Sequence, residues 1–141
     1  MENVRFKVLI DKLFFIIWIP TAVLMIGATA LSVFAPLALL IMILVDIFTF
    51  YFLISTLFGY VELREKSVFI KFGFLLKKEI PYDKIRGTVK ERRFYSDSMR
   101  SLKNAIEHVN IKYNSFDVVT VSVMDNDKLI EEIERRRVNQ I

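Results

Sequence analysis

The 141-residue sequence contains no cysteine and only one histidine, His108. The absence of cysteine excludes disulfides, zinc–thiolate sites, iron–sulfur clusters and cysteine nucleophiles. The four glycines are too scattered to form a phosphate-binding loop. Asp125-Asn126-Asp127 lacks the glycine and the distal glutamate of a calcium loop, and helix capping accounts for it. We therefore predict a protein that is not an enzyme, with no catalytic residue, no metal and no cofactor.

Charge is missing from a long stretch of the chain, because Asp46 is the only formally charged side chain between residues 13 and 61. One bilayer crossing takes about 20 apolar residues at a rise of about 1.5 Å each, so a single span would leave a second helix length in water. We predict two membrane-spanning helices at residues 12–32 and 37–57. Pro36 suits the turn between them, at residues 33–36.

Positive charges flank both predicted spans, whereas the turn has none. These charges are Arg5, Lys7 and Lys12 before the first span and Arg64, Lys66 and Lys71 after the second. The positive-inside rule then predicts a multi-pass protein of the cell membrane with both termini in the cytoplasm. A signal peptide is the alternative, since Ala28-Thr29-Ala30 resembles a cleavage site. The second apolar segment, which follows at once, favours two spans.

Asp46 lies in the middle of the second predicted span, where an acidic residue is costly and is a functional candidate by default. Folding the hairpin about its turn places Asp46 level with residues 21–24, so Thr21 is the expected hydrogen-bond partner. One interpretation is helix association within the chain or in a homo-oligomer. The other is a proton or ion pathway, which would need several copies because two spans cannot enclose a pore.

The remainder of the chain is rich in charge, with seventeen Lys or Arg and thirteen Asp or Glu from residue 62 onward, a net charge of 17 − 13 = +4. Alternating apolar residues predict short strands up to residue 123, including a hairpin with its turn at Asn114-Ser115. After Asp125, a good N-cap, Leu129, Ile130 and Ile133 have helical spacing. We predict a membrane hairpin with its lead-in at residues 1–60 and a cytoplasmic domain at residues 61–141.

Several segments resemble a family of small bacterial membrane proteins that includes the YyaB-type and sublancin immunity proteins. The segments are residues 4–7 (VRFK) with Asp11, 101–103 (SLK), 109–113 (VNIKY), 117–122 (DVVTVS) and 125–133. Members of this family pair one or two N-terminal spans with a pleckstrin-homology (PH)-like domain. The resemblance implies two transmembrane helices followed by a PH-like β-barrel or sandwich with a C-terminal helix. It also implies a membrane-anchored interaction module, with self-protection against a bacteriocin as one role.

Basic side chains of the second half form the candidate surface for anionic lipid headgroups or for a protein or peptide partner. They are Lys77, Lys78, Arg86, Lys90, Arg92, Arg93, Arg100 and Lys103. Interspersed acidic residues leave a solvated charged rim as the alternative, and the surplus is too small to predict nucleic-acid binding. Two other functions stay open: a structural or regulatory subunit of a membrane complex such as a transporter, and an anionic-lipid-sensing domain.

Overall fold

The computed structural model describes residues 2–93, 101–102 and 105–139. Its two long helices are α1 (Lys12–Leu31) and α2 (Pro36–Leu57), joined by a short 3₁₀ turn at Ser32–Phe34. Asp11 begins α1, since its Oδ1 accepts the Leu13 N–H at 2.8 Å. Pro36 occupies the first turn of α2, where a missing N–H costs nothing. The two predicted helices are confirmed.

Both apolar segments, Lys12–Phe34 and Pro36–Leu57, are long and apolar enough to cross a membrane. Their side chains are apolar on all sides, and Ser55 is the one buried residue of α2. A helix with no polar face needs an apolar environment around it, either a protein core or lipid. In this structure the described part of the chain does not supply that core.

Eight strands form two four-stranded sheets within the described residues. The first sheet has the order β1-β2-β3-β4 and is antiparallel throughout: β1 (Val4–Lys7), β2 (Tyr60–Leu63), β3 (Ser67–Lys71) and β4 (Lys77–Pro81). The second has the order β5-β7-β8-β6: β5 (Ile85–Arg92), β6 (Ser101–Leu102), β7 (Glu107–Tyr113) and β8 (Asp117–Val121). Strand β6 runs parallel to β8, and the other pairs are antiparallel.

The hydrophobic core lies between the two sheets and under the C-terminal helix α3 (Asn126–Asn139). Leu129 and Ile133 of α3 are fully buried against inward-pointing residues at alternate positions of four strands: Val61 and Leu63, Val68 and Ile70, Val109 and Ile111, and Val119 and Val121. Asp125 caps α3, since its Oδ1 accepts the Lys128 N–H at 3.0 Å. Two apolar helices, a β-sandwich and a closing helix are the predicted fold class, which is confirmed.

The lead-in before α1 contributes the first strand of the sandwich. In the predicted division at residue 60 this segment went with the membrane hairpin, but in the structure Val4–Lys7 pairs with β2 in register from Val4↔Leu63 to Lys7↔Tyr60. Its apolar residues alternate with Arg5 and Lys7, so Phe6 is buried in the core.

The predicted partner of Asp46 is wrong. Thr21 donates its hydroxyl to Ile17 O of its own helix at 2.7 Å, whereas Thr29 donates to Asp46 Oδ2 at 2.7 Å. The two threonines are 29 − 21 = 8 residues apart, or about 12 Å along a helix. The 3₁₀ turn rises about 2.0 Å per residue and shifts the contact toward the end of α1. Contacts between two helices depend on how their side chains pack, so counting residues back from the turn placed the partner too far from it.

Candidate functional site

The two helices join the sandwich at neighbouring strands. The chain leaves β1 for α1 through residues 8–11 and returns from α2 to β2 through residues 58–59. Because β1 and β2 are adjacent and antiparallel, the end of β1 lies beside the start of β2, so both helices join the first sheet at the same end of its strands. Asp11 also joins α1 to the segment just before β7, since its Oδ2 accepts the Ile106 N–H at 3.0 Å. Leu9 N–H donates to Ser122 O at 3.0 Å, which fixes the same connection.

The turn between β3 and β4, residues 72–76, packs on α2, and we call it the hairpin tip. Ser55 Oγ accepts the Phe74 N–H at 2.7 Å. The Phe74 ring stacks on Phe58 at 5.4 Å and lies 5.8 Å from Tyr51. Gly73 permits this approach, because a Cβ there would collide with Ser55 Oγ. The hairpin tip is therefore fixed against the end of α2 that enters β2.

One row of side chains crosses all four strands of the first sheet at the end where the helices join it. The register pairs Lys7 with Tyr60, Tyr60 with Lys71 and Lys71 with Lys77. Opposite residues of an antiparallel sheet point to the same face, and the adjoining row, which includes Phe6, points into the core. The helix-proximal row, Lys7–Tyr60–Lys71–Lys77, therefore points outward beside the two helices.

The row carries positive charge without local compensation. Among the described residues, none of its three lysines forms an ion pair with a carboxylate. Tyr60 packs instead against cations, with the Arg5 guanidinium 4.1 Å from the ring centroid and Lys71 Nζ 5.9 Å from it. From the sequence, Lys7 and Lys71 indicated only the membrane orientation and were not predicted as part of a site. Their position at strand ends next to the apolar segments was the available signal.

Glu62 lies one step farther from the helices on the same face. Its carboxylate is 2.8 Å from Arg5 Nη2 and 3.2 Å from Arg64 Nε. The hydrogen bond from Arg5 lowers the pKa of Glu62 and raises that of Arg5. Arg64 Nη1 also lies 3.6 Å from Glu79, so two arginines face two carboxylates and the uncompensated charge lies at the row.

Two cavities lie where the domain meets the helices, and only the smaller one is lined by residues of the row. A cleft of about 570 Å³ lies between the hairpin tip and both helices. Its lining is mostly apolar and includes Trp18, Phe52, Leu75 and Leu76. A second cavity, of about 350 Å³, lies between β1 and the end of α2 and is lined by Lys7 among others.

The basic residues predicted from the sequence do not form one surface. Lys77 is part of the helix-proximal row, whereas Lys78 points to the other face, with its Nζ 5.5 Å from the Tyr113 ring centroid. Lys90 Nζ lies 2.7 Å from Asp127 Oδ1, and this contact raises the pKa of Lys90. This pair joins β5 to α3 and does not contribute to the surface beside α1 and α2.

The remaining predicted cations are on or beyond β5. Arg86 is exposed. Arg92 Nη1 lies 3.6 Å from Glu107, and Arg93 Nε lies 3.6 Å from Glu91. Arg93 N–H donates to Ile106 O at 3.2 Å, and Ile106 in turn bonds to the cap of α1, so this end of β5 is also close to the helices. Arg100 and Lys103 lie outside the described residues.

The described residues bring no three His, Asp or Glu side chains together as a metal site. His108 is fully buried in β7, with its Nδ1 3.0 Å from Ile106 O and its Nε2 3.8 Å from Glu91 Oε2. These contacts place it within the packing of the second sheet. The features available for binding are the helix-proximal row, the exposed arginines of β5 and the two cavities.

A β-sandwich of two four-stranded sheets closed by a C-terminal helix defines the class of PH-like proteins. The sequence model of the bacterial PH domain matches residues 59–137, more than half of the chain, and the chain belongs to that family. PH-like domains are generally non-catalytic interaction modules that typically bind lipids or proteins. Comparisons with curated proteins and with solved structures gave no match.

Proposed function

We propose that this chain is a non-enzymatic interaction module anchored in the bacterial cell membrane by α1 and α2. Its PH domain lies at the inner face and binds a protein or peptide partner. The observation that carries the proposal is the junction of both helices with adjacent strands of one sheet. Residues 8–11 and 58–59 are too short, and residues 8–11 too well bonded, to let the domain turn freely away from the helices.

The charges support this orientation. The helix-proximal row and Arg5 lie at the ends of the helices that join the domain, whereas the turn at the other ends carries no charge. The positive-inside rule assigns the charged side to the cytoplasm. The domain in this proposal is residues 61–141 with β1 as its added first strand.

Arg92 and Arg93 are the partner-binding residues in this proposal. Their side chains are 74% and 45% exposed, and they lie near the start of α1. A partner bound there would meet the domain beside the membrane surface. The resemblance to the sublancin immunity proteins supports a bacteriocin-like peptide as one such partner.

Affinity purification from native membranes in mild detergent tests the proposal. We expect a stoichiometric protein or peptide with the wild type and its loss with Arg92→Glu/Arg93→Glu. Lys66→Glu/Lys84→Glu is the matched control, because both lysines are exposed and lie outside this surface. Circular dichroism checks that all three proteins fold. Recovery of the protein with bulk lipid alone would overturn the proposal.

A second candidate function is a structural or regulatory subunit of a membrane complex. Asp46 favours it: Oδ2 bonds to Thr29, but Oδ1 has no hydrogen-bond partner among the described residues. A polar group at mid-span that retains bonding capacity is the kind of residue through which helices associate in lipid. In that case Asp46→Asn would release the partner, and Arg92→Glu/Arg93→Glu would be tolerated.

A further inference from the structure

We propose that the helix-proximal row binds the phosphate of an anionic phospholipid in the surrounding bilayer, with an acyl chain of that lipid in the adjoining cleft. This inference rests on the proposed membrane anchoring and is independent of the protein partner. It gives the row, the hairpin tip and the cleft one common ligand.

Two lysines of the row are paired across neighbouring strands. Lys71 and Lys77 are directly opposite in the β3–β4 register, where like charges repel. No carboxylate among the described residues relieves that repulsion. A bound phosphate would meet both ammonium groups and convert a repulsive pair into two attractive ones, with Lys7 on the same face.

The hairpin tip exposes apolar side chains next to the row. Phe74, Leu75 and Leu76 are 44%, 78% and 62% exposed, although they are three consecutive large apolar residues. Lys71 and Lys77 stand immediately on either side of the tip. Apolar side chains bordered by lysines are typical of a segment that lies at the boundary between headgroups and acyl chains.

The cleft lies where an acyl chain of a neighbouring lipid could enter it. It opens between the tip and the two apolar helices, so its apolar lining continues the helix surface that would face lipid. Phe72 and Leu76 of the lining are the chain neighbours of Lys71 and Lys77, so the cleft begins next to the row. The row is at the end of the helices proposed to face the anionic inner leaflet. Each lysine near such a surface favours an anionic over a neutral lipid by roughly fivefold.

Trp18 makes the inference testable, because it is the only tryptophan of the chain and lines the cleft. The full chain is reconstituted in vesicles that contain phosphatidylglycerol and phosphatidylcholine. One of the two lipids carries brominated acyl chains, which quench tryptophan fluorescence on contact, and both are used at the same mole fraction. The quenching ratio reports which lipid occupies the cleft.

We expect the wild type to prefer brominated phosphatidylglycerol by roughly fivefold or more. Lys7→Gln/Lys71→Gln/Lys77→Gln, which removes every lysine of the row, should abolish this preference, and the control Lys66→Gln/Lys84→Gln/Lys112→Gln, at three exposed lysines elsewhere, should keep it. Trp18 emission and thermal unfolding in neutral detergent verify that each variant folds. Equal quenching by both lipids in the wild type, or a preference that survives Lys7→Gln/Lys71→Gln/Lys77→Gln, would overturn the inference. Quenching by neither lipid would overturn the membrane anchoring itself, and this site with it.

Discussion

Lys71 and Lys77 lie directly opposite each other on β3 and β4, at the end of the hairpin that bonds to Ser55 of α2. Like charges in this cross-strand position destabilise a sheet, whereas Val68, Ile70 and Ile80 of the same two strands are buried in the core. The pair therefore indicates a place where the chain tolerates a cost to itself in order to present two cations side by side.

Removal of one of these cations should stabilise the isolated protein. We expect Lys71→Gln to raise the free energy of unfolding by about 0.2–1 kcal/mol in neutral detergent, because it removes the cross-strand repulsion. In anionic lipid the gain should disappear, since the wild-type pair is then neutralised. Thermal unfolding in the two environments measures the difference. A variant that is equally stabilised in both would contradict a lipid-neutralised pair.

Gly73 should be intolerant of a methyl group. Gly73→Ala places a Cβ against Ser55 Oγ and displaces the hairpin tip from α2. We expect a loss of about 1–3 kcal/mol in the free energy of unfolding, as for overpacked sites. Gly27→Ala is the control, since nothing lies within 4 Å of its added Cβ. Equal stability of the two variants would show that the tip does not depend on this contact.

Arg136 should be the most sensitive charged residue of α3. Its side chain is buried, and it donates to the carbonyl oxygens of Leu63 at 3.2 Å, Arg64 at 3.1 Å and Glu2 at 2.6 Å. Arg136→Met would remove all three hydrogen bonds; Arg64 O keeps the Tyr82 hydroxyl at 2.8 Å, whereas the Leu63 and Glu2 carbonyls lose this donor. We expect a loss of about 3–5 kcal/mol in chemical unfolding.

The neighbouring Arg135→Met is the matched control for that change. Arg135 is 59% exposed and bonds only to Glu132 of its own helix among the described contacts. Its replacement should alter stability by no more than about 0.5 kcal/mol. Similar losses for both variants would mean that α3 is held by its apolar face alone.

We expect Glu62 to make the free energy of unfolding fall at acidic pH. The Arg5 hydrogen bond lowers the pKa of Glu62 in the folded protein below its ordinary value of 4.5. Its stabilisation is therefore present above that value and is lost as the pH falls through the lower, folded pKa. Unfolding measured between neutral and acidic pH should show a shallower acid loss for Glu62→Gln than for the wild type. Identical slopes would show that the pair does not contribute.

The main outline of the fold was predictable because its causes are local. The almost uncharged stretch fixed two helices, and the capping residues Asp11 and Asp125 lie where short-range rules place them. The sandwich was predictable from alternation and from the resemblance to a known family. The role of Val4–Lys7 as a strand was not, because its pairing depends on residues more than fifty positions away.

The candidate site depended on the same long-range pairing. The strand registers from Lys7 to Tyr60, Lys71 and Lys77 bring Lys7 beside two lysines from which both helices separate it in the sequence. The partner of Asp46 was misplaced for a related reason, since side-by-side helix register is set by packing and not by counting from the turn. Local reasoning found the cations but not their arrangement.

The central claim is that α1 and α2 cross the membrane and hold the PH domain at its inner face. The chain has no cysteine, so single cysteines can report topology without background. Phe34→Cys places one in the exposed turn between the helices, and Ser115→Cys places one in the exposed turn after β7. A membrane-impermeant maleimide is applied to intact spheroplasts and to lysed ones. The account predicts labelling of Phe34→Cys in both and of Ser115→Cys only after lysis; labelling of Ser115→Cys in intact spheroplasts would contradict it.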